Sequence, residues 1–196
     1  MTTTESQAAK LAELPPMRAD AGRIHERLLA AATEAFAEKG ADAPLEDIAK
    51  RAGVGIGTLY RHFPARLDLQ EAVYRQQVSV VCAQGAELAD APSPGDAFAA
   101  WLQGLARYLV TKRGLASALI AARGRDSEVI SLCSQIIRST ADRLLQRAQE
   151  AGAVRGDLTS SDVMMLVHGV VVATERTPEQ ADRLLSITID GLRARD

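Results

Sequence analysis

The chain has 196 residues, 47% of them apolar and 24% charged, with 14 Gly, 7 Pro and 4% aromatic residues. One large core or two small ones fit this length, and the apolar fraction excludes a disordered chain. Lys plus Arg number 23 against 25 Asp plus Glu, and the formal net charge of -2 excludes a uniformly basic nucleic-acid coat and a polybasic membrane anchor. Any anion site therefore has to be local. The longest mostly apolar stretch free of charge, 163–174, falls short of the ~20 residues that cross a bilayer, so no membrane partner is expected. Met1 to Leu14 is polar and carries Glu5 and Glu13 in place of a secretory signal, which makes the cytoplasm the expected location. Cys82 and Cys133 have neither CxxC nor zinc-ligand spacing, and no cationic cluster near either favours a thiolate. Small buried apolar side chains explain them more simply than a redox pair, and no metal or cofactor is expected.

Residues 1–20 hold Pro15-Pro16 and no sustained periodicity, and read as a flexible arm. From Ala21 onward Ile24, Leu28, Ala31, Ala32, Ala35 and Phe36 recur at helical spacing until Gly40 stops the helix. Pro44 opens a short segment with Leu45, Ile48, Ala49 and Ala52 on one side, closed by Gly53. A second short segment, Ile56 to Phe63, ends at Pro64. A long helix follows from Arg66 to Leu88, then a break over 91–96. Further helices are expected near 96–111, 114–122, 127–151, 160–174 and 178–194, with Gly114, Gly124 and Gly152 at their junctions. Thr159 with Asp162 has the spacing of a capping pair, and Thr177-Pro178-Glu179-Gln180 that of a capping box with Pro at the first helical position. The three valines 170–172 are the best strand candidate, but they sit inside a capped apolar run. The chain reads as all-α, with about nine helices.

The stretch Leu45 to Pro64, LEDIAKRAGVGIGTLYRHFP, has a mechanical meaning. Two short helices cross steeply only where their backbones approach closely, which asks for a small residue on the first and a sharp turn between them. Ala49 and Gly53 supply both, since Gly53 can take positive φ without a Cβ clash. Ile48, Val54 and Leu59 are spaced to fill the angle between the helices. This is the pattern of a helix-turn-helix whose recognition helix starts near Gly55 or Ile56. Between Lys50 and Arg66 stand Lys50, Arg51, Arg61 and Arg66, with His62 besides and no Asp or Glu. Such a stretch offers donors to phosphates, though it also fits a solvated face of an all-helical protein.

The same residues carry a resemblance. GVGIGTLYRHF (Gly53 to Phe63), with LEDIAKRA before it and a helix ending in FAEKG, resembles the N-terminal domain of the TetR/AcrR family of one-component transcriptional regulators over about residues 22–75. The resemblance implies an all-helical homodimer that binds a near-palindromic double-stranded operator, most members being repressors released by a small molecule in the C-terminal domain. It implies Tyr60 and His62 on operator phosphates and Thr58 on backbone or base. It puts Ile56 and Gly57 at the start of the recognition helix, where base edges are met, with Arg61 in its exposed stretch. Arg66 stands where the family usually has a lysine that clamps a phosphate. An apolar Ile56 suits a thymine methyl. The sequence departs from the pattern at Pro44, where a capping Ser or Thr is common, at Glu46, where other members present a cation, and at Gly55, which replaces a common Ser.

Three domains are read: the arm 1–20, a DNA-binding domain 21–66 of three helices, and a helical regulatory and dimerisation domain 67–196. Helix 160–174 is apolar nearly all round, which in a soluble protein asks for burial on two sides. Val163, Leu166, Val167, Val170 and Val171 of this helix, with Leu184, Leu185, Thr188, Ile189 and Leu192 of the last, are the expected homodimer interface, through a four-helix bundle. Trp101, Leu105 and Tyr108 share one face of their helix, and with Cys82, Leu119, Leu132 and Ile136 could line an effector cavity anchored by Arg123 or His168. The same side chains equally make a plain core, and His168 a histidine with a satisfied hydrogen bond. If the helix 66–88 tilts when that core is filled, two recognition helices separate. Two rivals remain at this point. One is a dimeric helical interaction protein with a degenerate helix-turn-helix. The other is a small helical enzyme, against which stand the three histidines, 25, 62 and 168, on three different helices and the lack of any nucleophile or phosphate-loop motif.

Overall fold

The computed structural model describes residues 19–124 and 128–194. The arm expected over 1–20 lies outside the described residues as far as residue 18. The helices are α1 (Ala19–Lys39), α2 (Leu45–Arg51), α3 (Ile56–His62), α4 (Arg66–Glu87), α5 (Pro94–Arg123), α6 (Glu128–Glu150), α7 (Ser160–Ala173) and α8 (Ala181–Gly191), with short 3-10 turns at Leu88–Asp90 and Pro178–Gln180. Among the described residues extended pairing is limited to one antiparallel bridge between Val154 and Arg193. No helix among them is long and apolar enough to cross a membrane.

The helices divide into two compact units, one made of the described residues within 1–77 and 111–133, the other of those within 78–110 and 134–194. In the first unit Leu28, Ala32, Ala35 and Phe36 of α1 meet Ile48 and Ala49 of α2, Leu59 of α3, Leu69 and Val73 of α4 and Leu115 of α5 in one buried cluster. Helices α2 and α3 have seven residues each, well below the ~12–15 at which an isolated helix becomes even marginal. Burial against α1 and α4 is what holds them.

The loop between α1 and α2 is braced by α4. Arg66 Nη1 donates to the carbonyl oxygens of Ala43 at 2.5 Å and Ala41 at 3.4 Å, and Gln70 Nε2 donates to Ala41 O at 2.8 Å. Helix α5 reaches the same loop at Gly114, where a Cβ would stand 3.5 Å from Ala41 N. The two helices expected over 96–111 and 114–122 are accordingly one continuous helix. Gly114 therefore does not end a helix, and it packs beside the loop at ordinary van der Waals distance.

In the second unit Trp101, Leu102 and Leu105 of α5 and Ile136, Ile137, Leu144 and Leu145 of α6 are buried. Trp101 Nε1 donates to Val81 O at 3.1 Å, Arg143 Nη2 to Gly85 O at 3.4 Å and Arg147 Nη2 to Ala91 O at 2.7 Å, tying α4 and the turn after it to α5 and α6. Helix α7 begins with the expected capping box, Thr159 N donating to Asp162 Oδ2 at 2.9 Å and Asp162 N to Thr159 Oγ1 at 3.3 Å. The box expected at Thr177 does not form. Pro178 occupies the first position, but of a 3-10 turn, and the Thr177 side chain makes no capping hydrogen bond.

Two substitutions test this packing. A Cβ at Gly85 would collide with Thr140 Cγ2 and press on Trp101. Gly→Ala in an open helix stabilises by up to ~1 kcal/mol, whereas Gly85→Ala is expected to destabilise by about 1–3 kcal/mol through overpacking, read from urea unfolding of the full chain. Gly53, in the turn between α2 and α3, has φ +64°. Gly53→Ala is expected to cost roughly 1–2 kcal/mol and Gly53→Asn less, because only the asparagine side chain tolerates the left-handed region; equal losses for the two variants would contradict the turn.

Candidate nucleic-acid interface

The α2–α3 corner is fixed from both sides. Within it, Ala52 N donates to Ile48 O at 2.9 Å, Gly53 N to Lys50 O at 3.0 Å and Val54 N to Ala49 O at 3.0 Å, closing α2 into the turn. Ile48, Ala49, Ala52 and Leu59 are buried beneath it. From α1, the Arg27 guanidinium donates to the carbonyl oxygens of Ala52 and, at 3.3 Å, Gly53. Arg51 makes a two-point ion pair with Glu38, and Lys39 pairs with Asp47 at 2.7 Å, so both ends of α2 are tied electrostatically to the end of α1. The Arg51 pair holds the Glu38 carboxyl below the usual carboxylate range through its hydrogen bond, and Lys39 does the same for Asp47.

Each residue expected at DNA can now be placed. Lys50, Gly55, Gly57, Tyr60 and Arg61 are exposed, Tyr60 at 46%, and Thr58 and His62 are half-buried beside them. Ile56 is half-buried and packs against the core of the first unit. Arg66 is half-buried and donates to the α1–α2 loop. Neither Pro44 nor Gly55 provides a side-chain cap for the helix that follows it. The +4 stretch is therefore not uniformly outward. Arg51 is exposed but already paired with Glu38, and Arg66 serves the loop, which leaves Lys50 and Arg61 as its exposed cations outside such an ion pair. Of the residues that hold the corner and its loop in shape, Arg27 and Gln70 had no motif to mark them in the sequence, and Glu38 stood within FAEKG without a role assigned to it. Their roles depend on contacts 13 to 29 residues away.

In the second unit the expected interface residues fall into two sets. Val163, Val167, Val171, Leu185 and Leu192 are buried within the chain itself, while Leu166 is exposed and Val170, Leu184, Thr188 and Ile189 are half-buried. An open groove of about 700 Å³ runs along α7 and α8, lined by Met165, Leu166, Gly169, Val170, Leu184 and Ile187. Met165 at 69% and Ile187 at 55% exposure are outward apolar side chains of this groove besides the expected interface residues. Of the expected effector-cavity residues, Trp101, Leu105, Tyr108 and Ile136 are buried in the second unit, with Cys82 half-buried and His168 exposed. Desolvation raises the Cys82 thiol above its usual range, partly offset by a hydrogen bond with Thr140, so it is no ready thiolate. Leu119 is buried and Leu132 half-buried in the first unit, where the exposed Arg123 pairs with Glu71 at 3.4 Å and Asp68 at 3.8 Å.

At the C-terminal end of α3 the His25 ring lies 6.0 Å from His62 and 5.0 Å from Phe63, centroid to centroid. Burial, followed by the charge of His62, lowers the His25 imidazole below its ordinary value, with Glu26 opposing weakly. A lowered histidine makes the unfolded chain the better proton acceptor. The contribution of this site is thus intact above about pH 6.5 and lost as the pH falls through the gap toward the folded value. Unfolding midpoints are expected to drop between pH 7.5 and 5.5, and His25→Gln to flatten that drop; an unchanged slope in the variant would assign it elsewhere.

Comparison with known proteins agrees on the family for both parts of the chain. Residues 28–73 match the family model for bacterial regulatory proteins of the tetR family, and residues 93–194 match that for the SbtR-like transcriptional regulator C-terminal domain. Among solved structures, the TetR transcriptional regulator SCO0520 from Streptomyces coelicolor is 37% identical, with a TM-score of 0.76 over 88% of this chain and 99% of that one. A TetR transcription regulatory protein from Mycobacterium vanbaalenii is 32% identical, with a TM-score of 0.73 over 91% and 100%. The HTH-type transcriptional regulator SrpR of Pseudomonas putida is 41% identical over 56 residues, 28% of this chain, and the match spans only 26% of that relative's length. An all-helical chain with a helix-turn-helix near its start, matched along most of its length by such structures and by both family models, belongs to the TetR family of transcriptional regulators.

Proposed function

We propose that the chain acts as a homodimeric repressor that grips a near-palindromic duplex operator and lets go when a small apolar molecule enters its helical second unit. The observation that carries this reading is the α2–α3 corner. Its inner face is closed by Ile48, Ala49 and Leu59, while its outer face presents Lys50, Tyr60 and Arg61. Lys50 and the Tyr60 hydroxyl suit phosphate oxygens, which set affinity and register. The two glycines flanking Ile56 leave room for close approach.

Dimerisation is supported by the apolar groove on α7 and α8. Met165, Leu166, Val172 and Ile187 stand in water on a chain that already buries the opposite stripe, Val163, Val167 and Val171. Exposed apolar surface gathered in this way marks an association face. A symmetric pair would present two recognition helices to successive major grooves about 34 Å apart. The apolar surroundings of Trp101, Leu105 and Ile136 favour an apolar effector, and α4, uninterrupted from Arg66 to Glu87, is a stiff element through which such an event could be relayed.

Fluorescence anisotropy on a duplex pool tests the first step. Binding is expected to be sequence-selective and to weaken with salt; Tyr60→Phe should weaken it across all sequences, and Lys50→Ala should reduce the salt slope by about one. Sedimentation tests the second. Leu166→Glu combined with Ile187→Glu is expected to give monomers with much reduced operator affinity, and a variant that stays dimeric would move the interface elsewhere.

A further inference from the structure

The first turn of α3 is short of base-reading side chains. Gly55 and Gly57 have none, and a Cβ built at either would meet nothing within 4 Å. Ile56 between them is half-buried against the core, so it is not the free apolar reader that its position suggests. In a helix-turn-helix it is this N-terminal end that meets base edges. A side chain that reads bases there has to arrive from the next turn.

Arg61 does so. Helical side chains lean toward the N-terminus, and the guanidinium of Arg61 is held in that lean by two bonds within its own helix. Its Nε donates to Gly57 O at 3.3 Å and its Nη2 to Thr58 Oγ1 at 3.0 Å. These bonds occupy the Nε/Nη2 edge of the five-donor fork. The terminal Nη1/Nη2 edge stays available on an exposed residue, beside two positions whose missing side chains admit a close surface. That edge, with two parallel N–H groups, matches the O6 and N7 acceptors of guanine in the major groove.

Resting on the DNA-binding reading above, we propose that Arg61 is the principal base-reading side chain of α3, taking a guanine in each half-site, and that Thr58 is the positioning residue that aims it. The role of Thr58 is separable from a phosphate contact. Its hydroxyl accepts from Arg61, so removing it loosens the aim of the guanidinium and blurs sequence choice more than it lowers overall affinity.

Selection of bound duplexes from a randomised pool, followed by anisotropy on the selected site with guanine or 7-deazaguanine at the chosen position, tests this. Wild-type protein is expected to select one guanine per half-site and to lose about tenfold in affinity on loss of N7. Arg61→Ala should bind the two duplexes equally, Thr58→Val should lose most of the discrimination, and Thr58→Ser should retain it. A selected site without a guanine, or a deaza penalty as large for Arg61→Ala as for wild type, overturns the assignment to Arg61. A deaza penalty in Thr58→Val as large as in wild type overturns the positioning role. A wild-type protein that retains no duplex overturns the DNA-binding reading and this inference with it, whereas selective binding without the guanine removes the inference alone.

Discussion

The steep crossing of two seven-residue helices is the constraint on which the first unit depends. Neither helix can stand alone, so the corner exists only because Ile48, Ala49 and Leu59 are sealed against α1 and α4 and because the chain reverses at Gly53 with a positive φ. Arg27 fastens that reversal from outside through the carbonyl oxygens of Ala52 and Gly53. A residue with a Cβ at 53 would strain the backbone and at once displace the guanidinium. The outward residues of α3 inherit their placement from this arrangement. They are few, exposed and set on a rigid corner, which suits recognition better than a mobile loop would.

The second unit is organised around small residues of a different kind. Gly85 is buried where α4 meets Trp101 and Thr140, and Gly104 is buried where α5 meets Gln84. Close approach of helices at such points brings the Trp101 indole onto a backbone carbonyl. Arg143 and Arg147 then reach across to carbonyls of α4 and the turn after it. The result is a tightly keyed trio of helices, beside which α7 and α8 keep one apolar flank covered and one bare.

Much of this was legible in the sequence because it rests on local pattern. Helical spacing marked α1 to α4 nearly to the residue, and Thr159 with Asp162 marked the start of α7. Misreadings came where one residue type serves two ends. Gly114 has the look of a helix stop, yet the helix runs through it, beside Ala41, which only the folded chain brings near. Thr177-Pro178 has the letters of a capping box, but the backbone at Thr177, φ -139° and ψ 61°, leads into a 3-10 turn instead. Ile56 and Arg66 fit a DNA-facing pattern by position, while packing directs one toward the core and the other toward the α1–α2 loop. The sequence could count the cations of 50–66 but could not tell which were already paired, because their partners, Glu38 and the carbonyls of Ala41 and Ala43, belong to the elements that precede it.

The brace formed by Arg66 has an outcome of its own. One nitrogen of its guanidinium, Nη1, reaches two carbonyl oxygens of the same loop at once. Added electrolyte strips a cation from a phosphate by restoring the counterions that binding had released, but it has no such purchase on a half-buried donor satisfied by main-chain acceptors. The bend between the first two helices is thus held from within the polypeptide, by contacts that brine weakens far less than it weakens a grip on a phosphate.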